Sequence, residues 1–216
     1  MKTQEKTNQE PLLVNQQPVL TKMTDQLLKD KQEIDELVVQ LTQGKAEART
    51  KFEDIKKQMK KSVNDFKETL DSKIKENQVW AIAVKGKLDA LESELNKGKA
   101  ETKEMVTSQR KNILKGIEDV KLELKKNPEA LKLANYYTSA AETAKLKMDI
   151  IVKKFEDRNP EVTKEFLDEM KNAKKQIDTI IKNVNEKKDA ANLKIENFTN
   201  EIHLVYDHFK KAIHAL

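Results

Sequence analysis

Cysteine is absent from this 216-residue chain, which excludes disulfides, thiolate metal sites and cysteine nucleophiles. Glycine and proline number four each, so structure-breaking positions are few. Aromatic residues make up 5%, which is thin for a compact globule but ordinary for long helices that bury one narrow stripe. No apolar run approaches the roughly 18 residues that span a bilayer. The opening Met1-Lys2-Thr3-Gln4-Glu5-Lys6 leads into polar residues with no apolar h-region, which predicts no secretory signal and a cytoplasmic location. Arg49, Arg110 and Arg158 are the only arginines. Lysine is a solvated point charge, whereas the planar guanidinium fork is what reads bases and clamps phosphates, so nucleic-acid recognition is disfavoured.

Catalytic patterns are missing as well. There is no G-x-x-x-x-G-K-[ST], G-x-G-x-x-G or H-E-x-x-H, and no strand–turn–helix context for a nucleophile elbow. The three histidines, His203, His208 and His214, all lie near the C-terminus. His203 and Asp207 are four apart and share a helical face, but one helix offers two ligands where a metal needs three or four. Without Glu-x-x-His, a di-iron bundle site has no donor set. The sequence therefore predicts no catalytic residue, no metal site, no cofactor and no enzyme.

What the chain does have is charge and periodicity. Charged residues make up 37%, with 42 basic side chains interleaved with 37 acidic ones for a net +5. Such mixing marks solvated helix faces, and pairs such as Glu53 with Lys57 sit at the stabilising i,i+4 spacing. Lysine doublets such as Lys56-Lys57 and Lys153-Lys154 would suit an anionic surface, but acidic residues alternate with them.

An internal repeat with an offset of 54 residues organises the first half. Ile34-Asp35-Glu36-Leu37 … Leu41-Thr42-Gln43-Gly44-Lys45-Ala46-Glu47 returns as Leu88-Asp89-Ala90-Leu91 … Leu95-Asn96-Lys97-Gly98-Lys99-Ala100-Glu101. Downstream, Phe52, Met59, Val63, Phe66 and Leu70 map onto Val106, Ile113, Ile117, Val120 and Leu124. This spacing is one face of a helix, so each unit reads as one long amphipathic helix. The first runs from near Val19 to Ile74, with a kink or break allowed at Gly44. Glu76-Asn77-Gln78 is a candidate turn. The second runs from Trp80 to Leu124, with its stripe weakened between Leu95 and Ile113, where Thr102 and Gln109 occupy seam positions.

Two boundaries share one grammar, Asn127-Pro128-Glu129 and Asn159-Pro160-Glu161. Asn is a preferred N-cap, Pro is tolerated at N1, and Glu in the first turn complements the helix dipole. They predict a third helix from about Pro128 to Asp157. A fourth would run from about Pro160 to Ala215, carrying a nearly unbroken stripe over about 50 residues, or about 75 Å at 1.5 Å per residue.

The unit Ile34-Asp35-Glu36-Leu37 … Lys45-Ala46-Glu47-Ala48 … Phe52-Glu53 … Ile55, with its second copy containing Trp80, resembles small bacterial coiled-coil proteins described as stress-response proteins. The likeness covers roughly residues 25–125. It implies a coiled-coil fold and a stress association, and carries no mechanism.

The expected fold is all-α, an elongated antiparallel helical bundle or coiled coil. The expected organisation is a flexible tail over 1–18, a two-unit repeat over 19–126 as hairpin or rod, and two further helices over 127–216. The expected function is a non-enzymatic scaffold acting through heptad seams, by self-association or on another helical protein. A peripheral anionic membrane or granule surface is the alternative, and nonspecific nucleic-acid binding the third. Trp80 is the candidate interface anchor, against a simpler role as a staple at the turn.

Overall fold

The structure, a computed structural model, describes residues 24–29, 31–32, 35–36, 45–73, 78–156, 163–186 and 195–215. The expected tail over 1–18, and Gly44, Glu76, Asn77, Asn159 and Pro160, lie outside them. All regular elements among the described residues are helical: α1 (Lys45–Lys73), α2 (Val79–Leu95), α3 (Lys103–Lys125), α4 (Pro128–Leu133), α5 (Asn135–Glu156), α6 (Lys164–Glu186) and α7 (Ile195–His214).

In α1 the apolar residues Phe52, Ile55, Met59, Val63, Phe66 and Leu70 recur every three or four positions, and all are buried, as an amphipathic helix requires. Glu47 in its first turn and Lys73 in its last complement the dipole. Lys67 of α1 bridges Asp89 and Glu92 of α2 at 2.5 and 2.6 Å, and Lys60 reaches Asn96 at 2.7 Å. Rising numbers on one helix meet falling numbers on the other, so α1 and α2 form an antiparallel hairpin. The rod alternative is thereby excluded.

The second repeat unit departs from the single helix expected of it. The chain reverses over residues 96–102, between α2 and α3. Asn96 closes α2 by donating its N–H to Glu92 O. Thr102 then opens α3, its hydroxyl accepting from Met105 N at 3.2 Å. Thr102 interrupts the seam because it is a cap. Gly116 lets the two helices approach closely. A Cβ there would lie 2.9 Å from Leu91 Cδ1 and 3.4 Å from Leu91 Cα.

Asn127 caps α4 as the sequence predicts, accepting from Glu129 N and Ala130 N at 2.8 and 3.2 Å, with Pro128 at the start of the helix. The helix expected over Pro128–Asp157 is divided at Ala134 into α4 and α5. The longest expected helix, Pro160–Ala215, is instead two. Thr163 caps α6, accepting from Phe166 N at 3.0 Å. α7 runs back along α6, with His208 against Glu169 and Thr163 Oγ1 donating to Ala215 O. Folding back lets each half of the stripe cover the other, which a straight helix cannot do.

Helices α1, α2, α3 and α5 close an up-down-up-down ring, each packing on the next and α5 returning to α1. Arg110 Nε donates to Asp149 at 2.9 Å and Lys121 pairs with Glu142 at 3.2 Å, tying α3 to α5. Phe66 stacks on Tyr137 with centroids 5.3 Å apart, tying α1 to α5. This ring encloses the first core, which holds Phe52, Met59, Val63, Phe66 and Leu70 together with Val106, Ile113, Ile117, Val120 and Leu124, to which they map by the 54-residue offset. A second, smaller core joins α6 and α7 to Leu146 and Ile150 of α5 and to Leu27. The stretch around Leu27 lies antiparallel to α6, with Lys31 on Asp178 and Asp35 on Lys174 at 2.9 and 2.7 Å. The cores therefore divide the chain differently from the 19–126 and 127–216 sequence division, because α5 closes the first bundle and carries the second.

Candidate functional site: the junction between two helical cores

Two opposite stripes of α5 are buried. One faces the ring with Tyr137, Ala141, Ala144, Met148, Ile151 and Phe155. The other includes apolar Leu146 and Ile150 together with buried Ser139, Thr143, Lys147 and Lys154. Tyr206 of α7 meets this mixed stripe. Its hydroxyl lies 2.8 Å from Thr143 Oγ1 and 3.0 Å from Ser139 Oγ, and it donates to Ser139 O at 3.1 Å. Polar groups buried on both sides satisfy one another, which fixes the register of the α6–α7 hairpin on the bundle. Tyr137, one turn away on the other face, is the contrast. Its hydroxyl is buried with no hydrogen-bond partner among the described residues. Burial, reinforced by the Glu142 carboxylate, pushes its pKa far up.

A second polar centre sits where the α2–α3 turn meets α1. The Lys56 side chain is 3% exposed. Its ammonium donates to Lys97 O and to Gln109 Oε1, both at 2.8 Å, and pairs with Glu53 at 3.0 Å. Gln109 Nε2 in turn donates to Gly98 O at 2.8 Å, and Glu53 accepts from Ala100 N. The network satisfies turn carbonyls that a reversal leaves without helical partners. Gln109 stands where the first repeat unit has Ile55, and that departure from the repeat is the sequence signal for the network.

A cleft of about 100 Å³ opens between α1, α5 and the helical stretch 24–29. Ile55, Met59, Ala140 and Ala144 supply its apolar lining, and Lys29, Lys61 and Lys147 its charge. Thr143, which bonds Tyr206, also lines it.

Of the residues singled out from sequence, Trp80 is half-buried and packs against the first core at the start of α2, while its neighbours Val79 and Ile82 are exposed. His208 Nδ1 lies 2.6 Å from Glu169 across the α6–α7 hairpin, and His214 is exposed in the last turn of α7. Among the described residues no group of three or more His, Asp or Glu could hold a metal ion. No helix among the described residues is long and apolar enough to cross a membrane. Sequence periodicity did not single out Tyr206, Ser139, Thr143 or Lys56. Each is a polar residue within a packed stripe, and its partner is remote in sequence.

No protein-family model, curated protein or solved structure matches the chain.

Proposed function

We propose that this chain is a non-enzymatic helical interaction protein, a four-helix bundle that presents a releasable amphipathic hairpin, α6–α7, to another helical protein. What supports this reading is the composition of the second core. Among the described residues, the hairpin's own apolar side chains form most of it, and only Leu146, Ile150 and Leu27 come from the rest of the chain. The heptad seams are used within the molecule, so a coiled-coil partner gains access when the hairpin leaves α5 and exposes its stripe.

Charge favours a protein partner over an anionic membrane, because α6 carries five lysines and five acids. The stress association implied by the resemblance of residues 25–125 fits a role that turns on contact rather than chemistry. Native-state hydrogen exchange tests the proposal. Core amides of α6 and α7 should exchange through an opening that leaves α1, α2 and α3 protected, at least about tenfold faster than theirs. Equal protection throughout would remove the basis for a releasable hairpin. A gain of helicity and co-flotation with anionic vesicles would favour the membrane reading instead.

A further inference from the structure

We propose that the outer face of α2 is a self-association surface, on which a second molecule of this chain packs antiparallel about a two-fold axis at Gly86. α2 stands at a corner of the ring, between α1 and α3, with Val84, Leu88, Leu91 and Leu95 turned into the first core. Its opposite side carries a second stripe, Val79, Ile82, Gly86, Ala90 and Ser93, at spacings of three and four residues. All five are exposed and none is charged. In a chain that is 37% charged this is a departure. The exposed side of α3 carries Lys111, Lys115 and Glu118 instead. Val79 and Ile82, 82% and 61% exposed, are the most exposed large apolar residues among those described. An apolar face of this kind marks a contact surface.

The stripe itself identifies a second molecule as the occupant. Val79 and Ser93 are each seven residues from Gly86, and Ile82 and Ala90 are each four. A two-fold axis at Gly86 therefore sets Ile82 opposite Ala90 of the second molecule, and Val79 opposite Ser93. Each contact joins a larger side chain to a small one, the self-complementarity that an isologous interface requires. A Cβ at Gly86 would meet nothing within 4 Å, so the two backbones are free to approach at the axis. A parallel pairing would crowd Val79 and Ile82 against their own copies at one end and leave a gap at the other.

Charge agrees with the antiparallel arrangement. On one flank the two-fold brings Lys85 within two residues of register with Asp89 of the second molecule. Within one chain Lys85 pairs with Asp71 and Asp89 with Lys67. The contact thus joins surface pairs from both molecules into one network. Lys87, on the other flank, lies near its own copy, which limits the affinity. α2 is 17 residues long, about 25 Å. One helix pair of that length buries less than the roughly 1,200 Å² of a standard stable interface, so a Kd of about 10–300 µM is expected.

Sedimentation equilibrium of the full chain, from about 5 µM to 1 mM, should follow a monomer–dimer equilibrium. Gly86→Glu enters open space and improves helix propensity, so the variant keeps its fold. It also sets two carboxylates together at the axis, and should weaken association at least about tenfold. Ile82→Gln removes two buried side chains per dimer and should weaken it by a similar factor. Single cysteines read the orientation, because the chain has none of its own. A short bis-maleimide should join Val79→Cys to Ser93→Cys in a mixture of the two variants, and should join neither variant to itself. Monomer mass throughout the range, unaltered association in Gly86→Glu or Ile82→Gln, or cross-linking of Val79→Cys to itself would each overturn the proposal. So would a monomeric chain that floats with phosphatidylcholine vesicles and loses that binding on Gly86→Glu, which would assign the face to lipid. α2 contributes nothing to the second core, so failure of hairpin release leaves this inference standing, and the converse holds.

Discussion

Two tyrosine-to-phenylalanine substitutions on the two sides of α5 should act with opposite sign. Tyr206→Phe deletes a buried hydroxyl that engages Thr143 Oγ1 at 2.8 Å, Ser139 Oγ at 3.0 Å and Ser139 O at 3.1 Å. Each hydrogen bond contributes about 0.5–1.5 kcal/mol net. Ser139 and Thr143 can fall back on carbonyls of their own preceding turn, which recovers part of the loss. The remaining cost is about 1–2 kcal/mol, borne by the docking of the hairpin. Opening of α6–α7 should then become roughly five- to thirtyfold more frequent. Hydrogen exchange reads this directly, as faster exchange in α6 and α7 with unchanged protection in α1, α2 and α3.

Tyr137→Phe removes a hydroxyl of the same kind that is buried without a partner among the described residues. An unsatisfied polar group costs about 1–3 kcal/mol to bury, and the ring's stacking on Phe66 survives the change. The variant should be neutral or more stable by about 1 kcal/mol, seen as a higher midpoint in urea. Equal destabilisation by both substitutions would refute the assignment of these two hydroxyls. Uniformly accelerated exchange in Tyr206→Phe would refute a separately opening hairpin.

Other positions give contrasts of the same form. Lys56→Met orphans Gln109 Oε1 and should cost about 1–3 kcal/mol, whereas Lys56→Met with Gln109→Leu should cost at least 1 kcal/mol less than the two singles summed; additivity in urea melts would count against the network. Gly86→Ala has open space and should stabilise α2 by about 1 kcal/mol. Gly116→Ala meets the fully buried Leu91, so overpacking of about 1–3 kcal/mol should outweigh the same helix gain; a higher melting temperature for Gly116→Ala would contradict the close α2–α3 approach. Burial disfavours the Glu142 carboxylate, but Lys145 and Lys121 outweigh it and hold the pKa below its ordinary 4.5. Its ionic stabilisation is therefore present above that value and lost as pH falls through the folded pKa. Glu142→Gln should be less stable by about 1 kcal/mol at pH 7 and converge with the parent as pH falls through the lowered folded pKa; a gap independent of pH would exclude the ion pairs as its source.

Periodicity made the helical class, the α1 face and the cap at Asn127 legible, because each is written within one turn or one stripe. Reversals of direction were harder to read. The stripe from Phe166 to Ala212 keeps heptad spacing across the α6–α7 hairpin, and helical phase carries no information about where a chain turns. The hint lay in density, since Ala191 is the only member of the stripe between Val184 and Ile195, with Ala190 and Leu193 off its spacing. The same thinning stood between Leu95 and Ile113, where the α2–α3 turn lies. Gly98 lies within the α2–α3 reversal, between Asn96 and Thr102. The second copy thus shows its repeated unit to be a helical hairpin rather than a helix.

The junction was least legible because α5 carries two patterns at once. Ser139, Thr143, Leu146, Ile150 and Lys154 recur at spacings of three and four, as do Tyr137, Ala141, Ala144, Met148 and Ile151. A shift of two residues turns the helix by about 200°, so the two stripes lie on opposite faces. Polar members hide the second stripe from any count of hydrophobic residues. They also limit how tightly it can hold a neighbour, since each must find a partner to offset its desolvation. A wholly apolar stripe would bind the hairpin more strongly and in more than one register. The mixed one accepts a single register, set by Tyr206, at lower affinity. Those two properties fit the release and return proposed for the hairpin.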